Sequence, residues 1–133
     1  GYTLIMSTEI IGLSHLEREI IANVVRYNIR DFDYDMMQLE TEAGQDLAGV
    51  SDRTAITILI AKLTAILRLA NSMDKTHKSK LIDCRMAVRE GQLVITTGYK
   101  GDLALESASF EQKAAFFEEI FGIRPVLKQK RRV

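Results

Sequence analysis

The sequence predicts an α+β fold, because the spacing of its apolar residues is helical in the first part of the chain and alternating in the second. Two long helix patterns begin after Ser14 and at Ser51. Strand-like alternation begins at Ile82, and one more helix pattern precedes the last strand pattern. We therefore predict an incomplete helical domain over residues 1–80, followed by a small β-β-β-α-β domain over residues 81–133.

The first helix is predicted from its amino-terminal capping pattern. Ser14 and Glu17 form the S-x-x-E arrangement, in which each side chain satisfies a free backbone N–H of the first turn. Apolar side chains then recur on one face, which predicts a helix from His15 to Asn28. These side chains are Leu16, Ile20, Val24 and Tyr27, widened by Ile21 and Val25.

The second helix is predicted from Ser51 to Met73 and carries an unusually wide apolar stripe. The stripe contains Ile56, Leu59, Ile60, Leu63, Ile66, Leu67 and Ala70. Two helices joined by a loop do not enclose a stripe of this width. We therefore expect that either preceding polypeptide or a second copy of the chain covers it.

The segment between these helices, residues 31–52, is acidic and contains no Lys or Arg. Such a run is typical of a solvated loop. Asp31, Asp33 and Asp35 resemble the start of a calcium loop, but the sixth position is Met36 where such a loop requires glycine. We therefore do not expect calcium binding here.

The second part of the chain begins with a predicted hairpin. Ile82, Cys84, Met86 and Val88 alternate with more polar residues, which predicts a strand with these four side chains on its buried face. Glu90-Gly91 supplies the turn, and residues 93–97 form the return strand. Leu103–Leu105 is predicted as a third short strand.

A helix and a final strand complete the predicted domain. Ser109 and Gln112 fit a second capping box, and the helix after them ends at Gly122. Arg124–Lys128 is predicted as the last strand, with Pro125 near its start or on a sheet edge. The buried face of the helix is predicted from Phe110, Ala114, Phe117 and Phe121.

Composition excludes several classes of function. The formal net charge is zero, so no overall positive field would gather nucleic acid, and we regard a nucleic-acid partner as disfavoured. The single cysteine excludes an internal disulfide, which fits a cytoplasmic location. No uninterrupted apolar run approaches the roughly 18 residues of a membrane helix, so we expect no membrane contact.

The sequence offers no catalytic or metal-binding set. Only His15 and His77 are available as imidazole ligands, and no H-x-x-x-H, C-x-x-C or glycine-rich phosphate loop is present. Cys84 lies at a predicted buried strand position, which favours a role in the core over a role as nucleophile. We therefore predict no catalytic residue and no metal ligand in this chain.

Basic clusters are the remaining signal. Arg26 and Arg30 lie one helical turn apart and suit a shared phosphate. Lys75, His77 and Lys78, with Lys80 nearby, follow the second helix, where their charges also complement the helix dipole. We predict phosphate contacts for Arg26, Arg30, Lys75, His77 and Lys78. The basic tail, with Lys128, Lys130, Arg131 and Arg132, is either a solvated end or an edge strand protected from aggregation.

The order of these motifs resembles the carboxy-terminal region of the Ppx/GppA phosphatase family, the exopolyphosphatases and guanosine pentaphosphate phosphatases. The resemblance rests on Gly12-Leu13-Ser14 with Glu17, on Arg26-Tyr27 and on Phe121-Gly122. It also includes the second-helix residues Leu63, Leu67-Arg68-Leu69-Ala70-Asn71 and Asp74.

The resemblance implies a function for a longer parent protein. That parent would be a phosphoanhydride hydrolase with actin-like catalytic domains upstream of Gly1 and a divalent metal such as Mg²⁺. Its substrate would be polyphosphate or a phosphorylated guanosine nucleotide. The helical part of this chain would be an incomplete HD-like domain, needing no cofactor of its own and contributing to polyphosphate binding and to a homodimer.

The chain departs from the family pattern at two positions. The family's Arg-Tyr-His-Arg motif appears here as Arg26-Tyr27-Asn28-Ile29-Arg30, and Asn71 stands where an HD-type metal-binding aspartate is expected. Both changes weaken any expectation of HD-type chemistry, so we expect this chain alone to be inactive. The alternative hypothesis is a self-association module that has no phosphate ligand.

Overall fold

The computed structural model describes residues 1–7, 12–28 and 50–130. Helices and strands are both present in these ranges, which confirms the predicted α+β class. In chain order the elements are α1 (Tyr2–Ser7), α2 (His15–Tyr27), α3 (Val50–Met73), β1 (Cys84–Arg89), β2 (Gln92–Thr97), α4 (Ala104–Phe121) and β3 (Arg124–Gln129). Most of the predicted acidic loop, residues 31–49, lies outside the described residues.

The chain divides into two compact units, residues 1–64 and residues 65–133. The division falls inside α3. The predicted domain boundary after residue 80 and the HD-like character of the helical part stay predictions.

Helix α2 begins with the predicted capping box. The backbone N–H of Glu17 donates to the hydroxyl of Ser14 at 3.1 Å, and the backbone N–H of Ser14 donates to Oε1 of Glu17 at 3.0 Å. The backbone N–H of Ser14 first, and the Ser14 hydroxyl second, lower the pKa of Glu17. The helix ends at Tyr27, one residue before the predicted end.

The predicted apolar face of α2 supplies a small core in the first unit. Tyr27 and Ile60 are buried there. Ile20 and Val24 of α2 and Ile56 of α3 pack against them. The helical spacing therefore places Ile20, Val24 and Tyr27 as the sequence predicts. The prediction that Ile21 widens this buried face is wrong, because that side chain is 39% exposed.

The wide apolar stripe of α3 is only partly buried. Ile60, Ala61, Ala65 and Leu69 are inside. Leu59, Leu63 and Ile66 of the predicted stripe remain 43%, 38% and 49% exposed. The structure thus shows an uncovered apolar strip along α3.

The second unit contains a three-stranded mixed sheet with strand order β1-β2-β3. Strands β1 and β2 form the predicted hairpin and are antiparallel, with Arg89 opposite Gln92. Glu90 and Gly91 both have positive φ, as a two-residue hairpin turn of the favoured hand requires. Strand β3 pairs parallel to β2 after the intervening helix, so Pro125 lies on an edge strand as predicted.

Helix α4 corrects two predictions. Leu103–Leu105 is not a strand, because α4 already begins at Ala104 and Leu103 is its buried amino-terminal cap residue. Ser109 therefore lies inside the helix and does not cap it. The carboxylate of Asp102 accepts the backbone N–H of Ala104 at 2.8 Å, which satisfies a free donor of the first turn. Among the described residues the second domain is therefore β-β-α-β.

The carboxyl end and buried face of α4 follow the prediction. Gly122 ends the helix with φ of 73°, and its N–H donates to the carbonyl of Glu118 at 2.8 Å. Phe110, Ala114 and Phe117 are buried. The core of the second unit contains residues of α3, of α4 and of one face of the sheet. Its buried members are Ala65, Leu69, Ile95, Phe110 and Phe117. Cys84, Leu93, Phe121 and Leu127 are among the half-buried side chains that pack against it.

Strand β1 begins at Cys84, two residues after the predicted start at Ile82, and the predicted burial is wrong at three positions. Ile82, Met86 and Val88 are 80%, 59% and 65% exposed. Of the four predicted inward side chains, only Cys84 packs against the core. Strand β1 is an edge strand, so its side chains extend beyond the cover of α4 even where the alternation is regular.

Candidate functional site

The predicted phosphate-contact residues of the second unit lie in the loop that follows α3. Lys75, His77 and Lys78 are all exposed. The backbone N–H of His77 donates to the carbonyl of Asp74 at 3.0 Å, and His77 has φ of 57°. The carboxylate of Asp74 accepts the backbone N–H of Ser79 at 3.0 Å, so one acidic side chain shapes the loop that carries the cations.

Two of these residues share a surface hollow of about 370 Å³. Asn71, Asp74, Lys75 and His77 line it. The carboxylate of Asp74 lies 3.9 Å from Nδ1 of His77. Lys75 and Lys78 make no ion pair with any other described residue. The ammonium group of Lys75 at this hollow, and that of Lys78 in the same loop, are therefore available to an anion.

Lys80 has a different role from its neighbours. Its side chain is only 14% exposed, and its ammonium group lies 3.4 Å from Oε1 of Glu106. It also donates to the carbonyl of Asp102 at 2.9 Å. Lys80 therefore ties the loop after α3 to the start of α4, and it is not available to a ligand in this arrangement.

Glu106 is the centre of this buried polar network, which the sequence did not reveal. The Thr76 hydroxyl donates to Oε2 of Glu106 at 2.6 Å, and the Thr76 backbone N–H donates to the same oxygen at 3.3 Å. The Thr76 side chain lowers the pKa of Glu106, against the opposing effect of burial, with help from Lys80. The carboxylate thus stays charged inside the unit because it is hydrogen-bonded and paired.

If the start of α4 had been predicted correctly at Ala104, the sequence would have given one indication of this network. Glu106 lies in the first turn of α4, where the helix dipole favours a carboxylate. Thr76 carries no comparable signal, since a threonine in a loop has many possible partners. The arrangement holds structure together and offers no open position to a substrate.

The two predicted arginines of the first unit are not shown to share a phosphate. The guanidinium carbon of Arg26 lies 3.6 Å from the ring centroid of Tyr2, a cation–π contact that joins α2 to α1. Arg30 lies outside the described residues. The shared phosphate site of Arg26 and Arg30 stays a prediction.

Within residues 1–7, 12–28 and 50–130, no three His, Cys, Asp or Glu side chains converge in a way that would hold a metal ion. One stretch of α3, Thr54–Met73, is long and apolar enough to span a membrane by length and composition. Core helices of water-soluble proteins satisfy the same criterion, so this is weak evidence. Location and membrane contact therefore stay predictions.

No known family model matches this chain, and no curated protein matches it.

Proposed function

We propose that this chain is the carboxy-terminal accessory region of a Ppx/GppA-type phosphatase that acts in the cytoplasm. In this proposal it contributes to binding polyphosphate or a phosphorylated guanosine nucleotide, and to forming a homodimer. The chemistry and its divalent metal, such as Mg²⁺, belong to catalytic domains of the parent. The motif order from Gly12 to Gly122 supports the family, and the structure supports the binding role through its exposed cations.

One observation carries the binding role: Lys75 and Lys78 are exposed in one short loop without an ion-pair partner among the described residues. His77 lies between them in the sequence and lines the same hollow as Lys75. Ammonium groups this close in the chain act together on a polymer whose negative charges are also closely spaced. Binding of that kind is salt-sensitive, because counter-ions are released.

A purely structural role competes with this reading. Cations beyond the carboxyl end of α3 also stabilise the helix dipole, and Asp74 places a negative charge in the hollow. The two readings differ in their consequence. Dipole stabilisation predicts that reversing the two lysines lowers stability and changes no ligand affinity.

Titration with inorganic polyphosphate tests the proposal. Lys75→Glu/Lys78→Glu should weaken binding about tenfold or more, because two attractive charges become repulsive. Lys62→Glu/Lys100→Glu is the matched control, since it makes the same charge change at two exposed lysines elsewhere. Equal loss in both double variants, or no polyphosphate binding by the unaltered chain, would contradict the proposed site.

Self-association without a phosphate ligand is the second candidate function. The exposed strip of Leu59, Leu63 and Ile66 on α3 favours it, because uncovered apolar side chains on one helix face are typical of an interaction surface. A chain that dimerises and ignores polyphosphate at both low and high salt would support this candidate alone. A chain that does both fits the accessory-region proposal.

A further inference from the structure

Among the described residues of the second unit, one face of the sheet carries only exposed or half-buried side chains. The core residues Ile95 and Leu127 point to the other face, where α4 packs. Strand register places a separate set of side chains on the first face, because residues opposite each other on neighbouring strands share a face. These are Arg85, Ala87 and Arg89 of β1, Gln92, Val94 and Thr96 of β2, and Arg124, Val126 and Lys128 of β3.

The register arranges these side chains in three rows across the strands. The middle row is apolar throughout, with Ala87 opposite Val94 and Val94 opposite Val126. The outer rows each end in a cation at both sheet edges: one is Arg85, Thr96 and Lys128, and the other is Arg89, Gln92 and Arg124. The first face is therefore an apolar row between two rows with basic ends, and we call it the basic face.

The dimensions of the basic face follow from sheet geometry. Arg85 and Arg89 are four residues apart on one strand, which corresponds to roughly 13 Å. Neighbouring strands are about 4.8 Å apart, so the cations at opposite edges are roughly 10 Å apart. A single small anion does not span these distances. A ligand that meets several corners must carry several negative charges on an extended frame.

The cations of the basic face are largely unused within the unit. Arg85, Arg89 and Lys128 are exposed and form no ion pair with another described residue. Arg124 differs, because Glu111 and Glu118 hold it at 3.3 and 3.4 Å. A depression of about 610 Å³ lies at this face. Its lining includes the cations Arg85, Arg89 and Lys130, the apolar Ala87 and Val94, and one carboxylate, that of Asp83.

The geometry points to the basic face as a docking site for an acidic amphipathic helix of a protein partner. An apolar stripe of that helix lies on the row of Ala87, Val94 and Val126. Carboxylates along one border of the stripe meet Arg85 and Lys128, and carboxylates along the other border meet Arg89. This inference goes beyond the proposed function and does not depend on it.

The apolar row distinguishes this partner from other polyanions. Inorganic polyphosphate has no apolar part, so it gains nothing from Ala87, Val94 and Val126. Single-stranded nucleic acid binds through aromatic side chains on which its bases stack, and the basic face has none. Carboxylates beside an apolar stripe satisfy both features of the face, because apolar contact and ion pairing then form together.

The experiment uses a fluorescently labelled synthetic helical peptide, with leucines along one stripe and glutamates along both borders. Its anisotropy is followed as the full chain is added. Two control peptides replace the glutamates with lysines or the leucines with serines. We expect the first peptide to bind, and both controls to bind about tenfold more weakly or worse.

Protein variants place the binding on the basic face. Arg85→Glu/Arg89→Glu should weaken the peptide about tenfold or more, and Val94→Thr should weaken it without changing charge. Lys62→Glu/Lys100→Glu is the matched control and should leave the peptide affinity unchanged, because neither lysine lies on the basic face. The milder Arg85→Gln/Arg89→Gln keeps the test valid if charge reversal disturbs folding.

Three results would overturn the inference: no peptide binding, equal binding of the serine control, or equal effects of the two charge-reversal variants. Polyphosphate binding that fails only in Arg85→Glu/Arg89→Glu would also overturn it, since the face would then take a phosphate polymer. Failure of the proposed function has a separate signature. In that case the acidic peptide still binds and is still weakened by Arg85→Glu/Arg89→Glu, but Lys75→Glu/Lys78→Glu leaves the affinity for polyphosphate unchanged.

Discussion

The hydroxyl of Thr76 donates a 2.6 Å hydrogen bond to Oε2 of Glu106, whose side chain is only 1% exposed. This bond joins the loop after α3 to the first turn of α4. Lys80 holds the other carboxylate oxygen. Contacts with Glu106 therefore hold the loop that carries the candidate phosphate contacts at two residues. Thr76 lies between Lys75 and His77 in the sequence, and Lys80 follows Lys78.

Removing the Thr76 hydroxyl should destabilise the chain. Thr76→Val keeps the shape of the side chain and leaves the buried carboxylate of Glu106 with one fewer donor. A hydrogen bond to a charged group contributes about 1.5–3 kcal/mol, so the free energy of unfolding should fall by that amount. Urea denaturation measures it. Thr76→Ser is the control, because it keeps the donor, and an equal loss in both variants would contradict this role of the hydroxyl.

Stability should depend on acid through Glu106. Its pKa is lowered in the folded chain from the ordinary value of 4.5. A lowered folded-state pKa means that the stabilising contribution is fully present above the unfolded-state pKa and is lost as the pH falls through the folded-state pKa. Glu106→Gln should therefore cost stability at pH 7 and show a flatter decline below about pH 4.5.

Urea denaturation at several values between pH 7 and pH 3 tests this dependence. Glu119→Gln serves as the control, because Glu119 is exposed on the same helix. Its profile should follow that of the unaltered chain. A Glu106→Gln profile parallel to the unaltered one across the whole range would show that Glu106 does not titrate in this way.

The capping box of α2 should be measurable in the same assay. Ser14→Ala removes the hydroxyl that accepts the N–H of Glu17, and such changes cost about 1 kcal/mol. Ser14→Thr retains the acceptor and should lose much less. If the two variants are equally stable, the cap does not contribute to the stability of the helix.

The exposed strip on α3 should govern self-association. Leu59→Glu/Ile66→Glu introduces two carboxylates on this strip, and burying them in an apolar interface is unfavourable. We expect the dissociation constant of the dimer to be roughly tenfold higher, or more, than that of the unaltered chain. Size-exclusion chromatography with light scattering measures it, and Lys100→Glu/Gln112→Glu is the control, because both residues are exposed and lie outside α3. A dimer that is unaffected by the double change would place the interface elsewhere.

The sequence predicted elements whose local signals are strong. The capping box at Ser14, the turn at Glu90-Gly91 and the left-handed stop at Gly122 each depend on a few neighbouring residues, and all three are confirmed. The strand predicted at Leu103–Leu105 failed because two apolar residues separated by one residue fit a helix start as well. Asp102, which satisfies the first turn from just outside the helix, was the decisive residue.

Features that depend on residues far apart in the sequence were harder to predict from it. Alternation in β1 identified the strand, but the exposure of Met86 and Val88 follows from the position of β1 at the sheet edge. The basic face requires the register of all three strands, which no local pattern gives. At the candidate site the sequence located the cations, while the pairing of Lys80 with Glu106 came only from the fold.

The salt dependence of polyphosphate affinity tests the central claim most directly. In complexes with nucleic acids, each phosphate that a cation neutralises adds just under one to the steepness with which the logarithm of the binding constant falls against the logarithm of salt concentration. We predict a clear slope for the unaltered chain, and a slope shallower by roughly one to two for Lys75→Gln/Lys78→Gln. Identical slopes for the two proteins, or an affinity of the unaltered chain that does not change with salt, would contradict a phosphate site in the loop after α3.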